Sequence, residues 1–453
     1  MFVNRIFEIK SLEKLYKQNQ AQLVIIYGKR RVGKTELIKK FITGKKGIYF
    51  LSDKTDINKQ AIQLAHQLRE LTGIKLFDLV RDWYSLAETI QEKIKEKIVI
   101  AVDEFPYLVE ANKATSSIFQ KVWDEYLSKT NIFLILSGSS ISMMESETLA
   151  YKSPLFGRRT AQFQIKPMDF ASSWEFYTDL EFPKFVEYYS ILGGTPAYLN
   201  KFSTKVSLWE NIKEEILIKE KYLNREVEFL LKEEFRSPAV YQLILQSISE
   251  GATKLSEITA KLEMKSTNLF TYLKTLEQLQ FIEREIPITE KNPRKSKKGL
   301  YKISDNFVKF WFKYVFPNKS DIEIGSFSKT KMFINSDFTI YLGSIYEEIC
   351  KELIRNMIPS MRIGRWWNNN TEIDIVGIND QDKEILFGEV KWSNKQVGTD
   401  IYLDLKSKAD GIIWQDENRT ERYCLCSKSG FTKDMIRLAK VENVMLIEGN
   451  KLV

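Results

Sequence analysis

The sequence predicts an α/β chain organised on a parallel sheet, and three apolar runs carry that expectation. Leu23-Val24-Ile25-Ile26-Tyr27, Ile98-Val99-Ile100-Ala101-Val102 and Ile132-Phe133-Leu134-Ile135-Leu136 lack polar alternation. Central parallel strands, buried on both faces, read this way. Each run ends in residues suited to the ligand edge of such a sheet: Gly28, Asp103-Glu104 and Ser137-Gly138-Ser139.

The first run opens into Gly28-Lys29-Arg30-Arg31-Val32-Gly33-Lys34-Thr35, with helix-compatible residues from Glu36 to Phe41. This is G-x-x-x-x-G-K-[ST] between a strand and a helix, the pattern of a phosphate-binding P-loop. Its glycines let backbone N–H groups turn inward, and the helix N-terminus aims its dipole at the anion. Lys34 is expected to reach the β- and γ-phosphates, and the Thr35 hydroxyl to hold Mg²⁺. Asp103 is the expected second Mg²⁺ ligand, direct or through water, and Glu104 the group that polarises the attacking water. ATP hydrolysis, rather than binding alone, follows from that pair. At the end of the third run Ser137 or Ser139 could sense the γ-phosphate. Arg158 or Arg159, in a loop after Pro154, could do the same or complete a neighbour's site; a solvated basic loop is the alternative.

These segments, with Phe2-Val3-Asn4-Arg5, Glu8, Val102 to Tyr107 and Gly193-Gly194-Thr195-Pro196-Ala197-Tyr198, resemble prokaryotic archaeal-type AAA ATPases close to the signal-transducing STAND branch. The resemblance covers nearly the whole chain. It implies that Phe2 to Arg5 lie near the adenine, with Arg5 as the contact. It also implies a helical lid behind the nucleotide, for which Met168–Tyr177, Phe185–Leu192 and Ser207–Leu231 are the expected helices, with a break at Gly193-Gly194-Thr195-Pro196 that permits movement.

At 453 residues the chain suits about three domains by size. The expected segments are an ATPase core at 1–160, a helical lid at 161–235, a winged helix at 236–316 and a last α/β domain at 317–453, with a linker near Pro317-Asn318-Lys319-Ser320. No run of about 18 apolar residues occurs, so no membrane span is expected. The N-terminus lacks a signal-peptide profile, which points to the cytoplasm. Cys350, Cys424 and Cys426 form no metal or disulfide spacing and read as buried thiols. The lone His66 excludes a histidine-based zinc site and reads as a surface residue.

Net charge is +8, from 68 basic and 60 acidic residues, so its distribution matters more than its sum. The densest basic run is Lys291 to Lys298. Apolar helices at Val240–Ile248, Leu255–Leu262 and Thr267–Gln280 precede it, and strands at Phe281–Ile286 and Gly299–Ile303 flank it. A helix–turn–helix with a basic wing fits DNA docking, with Arg294, Lys295, Lys297 and Lys298 as phosphate contacts. An interdomain strut with a solvated tip is the plain alternative.

In the last domain, Ile340–Met357 reads as a helix carrying Glu347, with Glu348 adjacent. Thr371–Gly377 and Ile385–Trp392 read as paired strands that bring Asp374 beside Glu389, with Lys391 on the face of Glu389. Carboxylate oxygens suit a second Mg²⁺ or Mn²⁺, held by Glu347, Asp374 and Glu389, with Lys391 as the catalytic cation. The order Glu347…Asp374…Glu389-x-Lys391 resembles the PD-(D/E)XK nuclease superfamily. The fold this implies is restriction-endonuclease-like, in a DUF234-type domain. Trp366, Trp367 and Asn368 to Asn370 could stack on bases or simply pack.

The sequence therefore predicts an ATP-driven switch or motor acting on DNA, with a nuclease-like domain. The rival is a STAND-like signalling ATPase whose last domains bind a protein or DNA without cutting. A protein trigger and a homo-oligomer are both compatible with either.

Overall fold

The computed structural model describes residues 2–368, 371–415 and 419–453, which fall into two compact units. One comprises 1–176 and 194–197; the other comprises 177–193 and 198–453.

The first unit is built on five parallel strands: β1 (Gln22–Tyr27), β2 (Gly47–Leu51), β3 (Val99–Asp103), β4 (Phe133–Gly138) and β5 (Ala161–Gln164). Their order is β2-β3-β4-β1-β5. Every residue of β1, β3 and β4 is buried, which is why those runs show no alternation. The helix Lys34–Ile42 packs Leu37, Ile38 and Phe41 against this sheet. The unit continues past residue 160, because β5 pairs in parallel with β1.

The second unit begins with helices. Residues 207–231, expected as one helix, form Leu208–Ile212, a wider turn Lys213–Leu217 and Glu226–Glu234. The break has a local cause. Ile218 leaves the helical region at ψ 124°, and the Asn224 amide donates to the Ile216 and Leu217 carbonyls at 3.0 and 3.2 Å. The helical stretch expected at Met168–Tyr177 is the shorter Phe170–Trp174 of the first unit.

Three helices, Pro238–Ser249, Leu255–Leu262 and Ser266–Gln278, then lead into the antiparallel strands β6 (Ile282–Glu285) and β7 (Leu300–Ile303). Residues expected as a linker are helical instead. Asn318 is buried and donates to the Tyr314 carbonyl at 2.9 Å.

The long helix Ser328–Met357 precedes a six-stranded sheet: β8 (Arg362–Asn368), β9 (Thr371–Asn379), β10 (Glu384–Lys391), β11 (Thr420–Ser427), β12 (Met445–Glu448) and β13 (Lys451–Leu452). The strands run in that order across the sheet. β8, β9 and β10 are antiparallel neighbours, β10, β11 and β12 parallel ones. All three cysteines are buried and free. His66 is exposed near Asp78. Among the described residues, no helix is long and apolar enough to cross a membrane.

Candidate functional site

The P-loop takes its shape from two glycines. Gly28 has φ 151°, and a Cβ there would sit 2.1 Å from the Ile165 carbonyl oxygen. Gly33 has φ 95° and caps the helix Lys34–Ile42, so that helix begins directly under the loop. Arg31, with φ 70°, holds the same left-handed turn despite its side chain. Val32 is buried in the core beneath.

Lys34 is buried and curls onto the loop, donating to the Gly28 and Lys29 carbonyls at 2.9 and 3.0 Å. An anion cradled by the loop would offer this ammonium a stronger partner than a carbonyl. Thr35 Oγ1 donates to Asp103 Oδ2 at 2.9 Å, so the two oxygen ligands expected for Mg²⁺ already touch. Their chemistry fits a hard cation that keeps several waters. Tyr49 on β2 donates to the same Oδ2 at 2.6 Å. Burial, then this bond, pushes its phenol above the ordinary value.

Glu104 sits at the β3 end in left-handed backbone (φ 55°), which turns its carboxylate to the sheet edge. There Glu104 Oε2 accepts from Ser139 Oγ at 2.9 Å and from the Ser139 N–H at 3.3 Å. Ser137 lies inside β4 instead. It is fully buried and its hydroxyl has no hydrogen-bond partner among the described residues, so Ser139 is the hydroxyl that meets this edge.

Arg5 braces the loop. Its guanidinium donates to the Val32 carbonyl at 2.9 Å, the Lys166 carbonyl at 2.6 Å and Glu8 at 3.1 Å. Arg30 donates to the Tyr107 hydroxyl at 2.9 Å. Arg158 forms a two-pronged pair with Asp124, at 2.8 and 2.7 Å, away from the P-loop contacts. Arg159 stacks over Phe156; burial, then the Glu145 charge, raises the Tyr27 phenol, and the Arg159 charge opposes that rise.

In the second unit the expected carboxylates come together in part. The β9–β10 register sets Ile375 against Gly388, which places Asp374 beside Glu389, and Asp374 accepts from the Val390 N–H at 3.0 Å. Lys391 Nζ donates to Glu389 Oε1 at 2.7 Å. Burial and the Glu389 charge push Asp374 above the usual carboxylate range. Burial and Asp374 push Glu347 up to about 7, while Arg365 and Lys351 pull it down. Glu348 faces a different set. Burial opposes its ionisation, but Lys302 and Lys351 hold it down at about 2, with contacts of 2.9 and 3.0 Å. Glu347 is thus the helix carboxylate that belongs with Asp374.

Two cations here have no sequence signal. Lys408, from the helix Thr399–Asp410, lies 3.6 Å from Glu389 Oε2. Arg365 on β8 pairs with Glu372 at 2.6 Å. Among the described residues, no three carboxylate, histidine or cysteine side chains converge closely enough to hold a metal as they stand.

Arg294, Lys295, Lys297 and Lys298 are all exposed on the loop joining β6 and β7. Arg284 ties that loop down through the Ser296 carbonyl, and a Cβ at Gly299 would meet its guanidinium. Trp366 packs against the last domain's core, and Arg365 lies over the Trp367 ring. Asn369 and Asn370 fall outside the described residues.

Residues 2–202 match the family described as an ATPase domain predominantly from Archaea, and residues 311–401 match one described as archaeal and bacterial proteins of unknown function. An uncharacterised protein of Methanocaldococcus jannaschii is 39% identical over 91% of this chain and 93% of its own length. Among solved structures, the Walker-type ATPase of Pyrococcus abyssi is 21% identical, with TM-score 0.46, covering 69% of this chain and 96% of that one. The ORC2 protein of Aeropyrum pernix is 11% identical, with TM-score 0.43, covering 72% and 96%. With its P-loop, its five-stranded parallel sheet and a relative alike over nearly its whole length, this chain belongs to the archaeal-type P-loop ATPases that carry this C-terminal domain.

Proposed function

We propose that the protein is an ATP-hydrolysing switch that acts on DNA. Lys34 and the loop N–H groups bind the β- and γ-phosphates, and Arg159 reports on the γ-phosphate. Mg²⁺ held by Thr35 and Asp103 would neutralise phosphate charge. Glu104 accepts a proton from the attacking water, with Ser139 fixing which carboxylate oxygen faces it. Arg5 acts by bracing the Val32 carbonyl, a positioning role rather than a base contact. The exposed Arg294, Lys295, Lys297 and Lys298 supply the DNA-phosphate contacts.

The last domain is read as a PD-(D/E)XK nuclease-like module that takes a second Mg²⁺ or Mn²⁺ from Glu347, Asp374 and Glu389. The observation that carries this is the β9–β10 register, which sets Asp374 beside Glu389 with Lys391 2.7 Å from the latter. Buried carboxylates that repel one another favour either protons or a divalent cation. Lys391 orients the attacking water or stabilises the charge that develops on phosphorus.

A second reading is a STAND-like switch whose last domain binds a DNA or protein partner without cutting. The pairing of Glu389 with Lys391 at 2.7 Å, and with Lys408 at 3.6 Å, favours it, because two lysines already balance the carboxylate's charge. Cleavage of duplex DNA, single-stranded DNA and RNA with Mg²⁺ or Mn²⁺, with and without ATP, separates the two. Cleavage lost in both Asp374→Ala and Lys391→Ala supports the nuclease. No cleavage on any substrate, with ATP hydrolysis intact, leaves the binding switch.

A further inference from the structure

Asp103 is held at both carboxylate oxygens. Oδ1 accepts from the Glu104 N–H at 3.0 Å, and Oδ2 accepts from both Thr35 Oγ1 and the Tyr49 phenol. Tyr49 reaches this oxygen because β2 lies next to β3 and Tyr49 pairs with Ala101, two residues before Asp103 on the same face of the sheet. Lys39, on the P-loop helix, covers the Tyr49 ring at 5.1 Å. The phenol is therefore packed between the P-loop helix and the sheet, with the Asp103 carboxylate and the Thr35 hydroxyl as its polar neighbours.

We infer that Tyr49 is a positioning residue for the nucleotide's Mg²⁺: its hydroxyl fixes the rotation of the Asp103 carboxylate. A carboxylate with one charged oxygen pinned by two hydroxyl donors cannot swing away when the Thr35 oxygen turns toward a cation. The Thr35 proton can stay on Oδ2 while its lone pair faces the metal, so the ligand pair is assembled before the ion arrives. Partners of this kind behind a metal ligand typically contribute 10–100-fold in metal affinity. The inference rests on the reading of Thr35 and Asp103 as the Mg²⁺ ligands.

The test is Tyr49→Phe, which removes the hydroxyl and keeps the ring. ADP affinity is measured by calorimetry in EDTA and across a Mg²⁺ series, with Mn²⁺ binding to the ADP complex read by electron paramagnetic resonance. Asp103→Asn runs alongside. The expected result is native ADP affinity in EDTA, Mn²⁺ binding weaker by roughly tenfold or more, and a steady-state rate that recovers at high Mg²⁺. Two results would overturn it: a Mn²⁺ affinity equal to native, or an equal loss of ADP affinity with and without metal, which marks a purely structural role. If native protein shows no metal-dependent gain in ADP affinity, or Asp103→Asn leaves that gain intact, the ligand assignment itself fails, and this inference with it.

Discussion

Glu104→Gln is the perturbation that most directly tests the hydrolytic site. The glutamine keeps the length and polarity of the side chain and can still accept from the Ser139 hydroxyl. It cannot accept the water's proton. A positioned general base contributes about 10²–10⁴-fold, or about 2.7–5.4 kcal/mol of barrier at 1.36 kcal/mol per decade. The left-handed backbone at Glu104 and the two Ser139 bonds argue for the upper half of that range, because they fix the carboxylate before nucleotide binds. Ser139→Ala should cost less, since it removes one hydrogen bond to a charged group, about 1.5–3 kcal/mol if the carboxylate then wanders. The assay is single-turnover hydrolysis of labelled ATP with enzyme in excess, alongside equilibrium ATP binding. Glu104→Gln should bind ATP at native affinity and turn over more slowly by about 1000-fold or more, as the upper half of that range requires. Native turnover in Glu104→Gln refutes the base assignment. Loss of ATP binding in the same variant would show that Glu104 shapes the pocket instead.

Further outcomes follow from other parts of the molecule. Gly28→Ala should abolish ATP binding and lower the unfolding temperature, since its Cβ would overlap the Ile165 carbonyl oxygen; equilibrium binding and thermal melts check this. Reversing Lys295, Lys297 and Lys298 to Glu should flatten the salt dependence of DNA binding. Four phosphate contacts at about 0.9 each predict a slope near −4 for the native wing, and an unchanged slope would mean the wing touches no DNA. Burial, then the Asp374 charge, pushes Glu347 up to about 7, above its ordinary value of 4.5. Its charge therefore destabilises the folded state progressively as pH rises from about 4.5 through 7. Glu347→Gln should then gain stability relative to native protein at pH 8 and not at pH 4, as read from urea midpoints; a pH-independent difference would mean that neither burial nor Asp374 perturbs the Glu347 carboxyl.

Much of the nucleotide site was legible in the chain because its determinants are local. The glycine spacing, the lysine and threonine at the helix start, and an unbroken apolar run ending in two acids each specify a backbone shape within a few residues. The β9–β10 hairpin was legible for the same reason, since a period of two fixes which side chains share a face. The long helix expected at 207–231 was not, because its break depends on the Asn224 amide reaching back to the Ile216 and Leu217 carbonyls, a preference that periodicity does not register.

The sequence by itself determined the phosphate-binding loop, the acids at the end of β3, the apolar strands that make the sheet parallel and buried, and the carboxylate pair on one hairpin. Tertiary structure alone decided which neighbours those groups acquire. Ser139 rather than Ser137 meets Glu104, because Ser137 is buried inside β4 while Ser139 lies just past the strand's end at Gly138, where the chain turns out of the sheet. Arg158 is taken by Asp124, and Arg5 by main-chain carbonyls 27 and 161 residues away. Tyr49 comes to Asp103 across 54 residues, and Lys408 comes to Glu389 from a separate helix. Spacing along a chain encodes backbone geometry over a turn or a strand. The partner of a charged tip is chosen by strand order and helix docking, which no short stretch of residues contains.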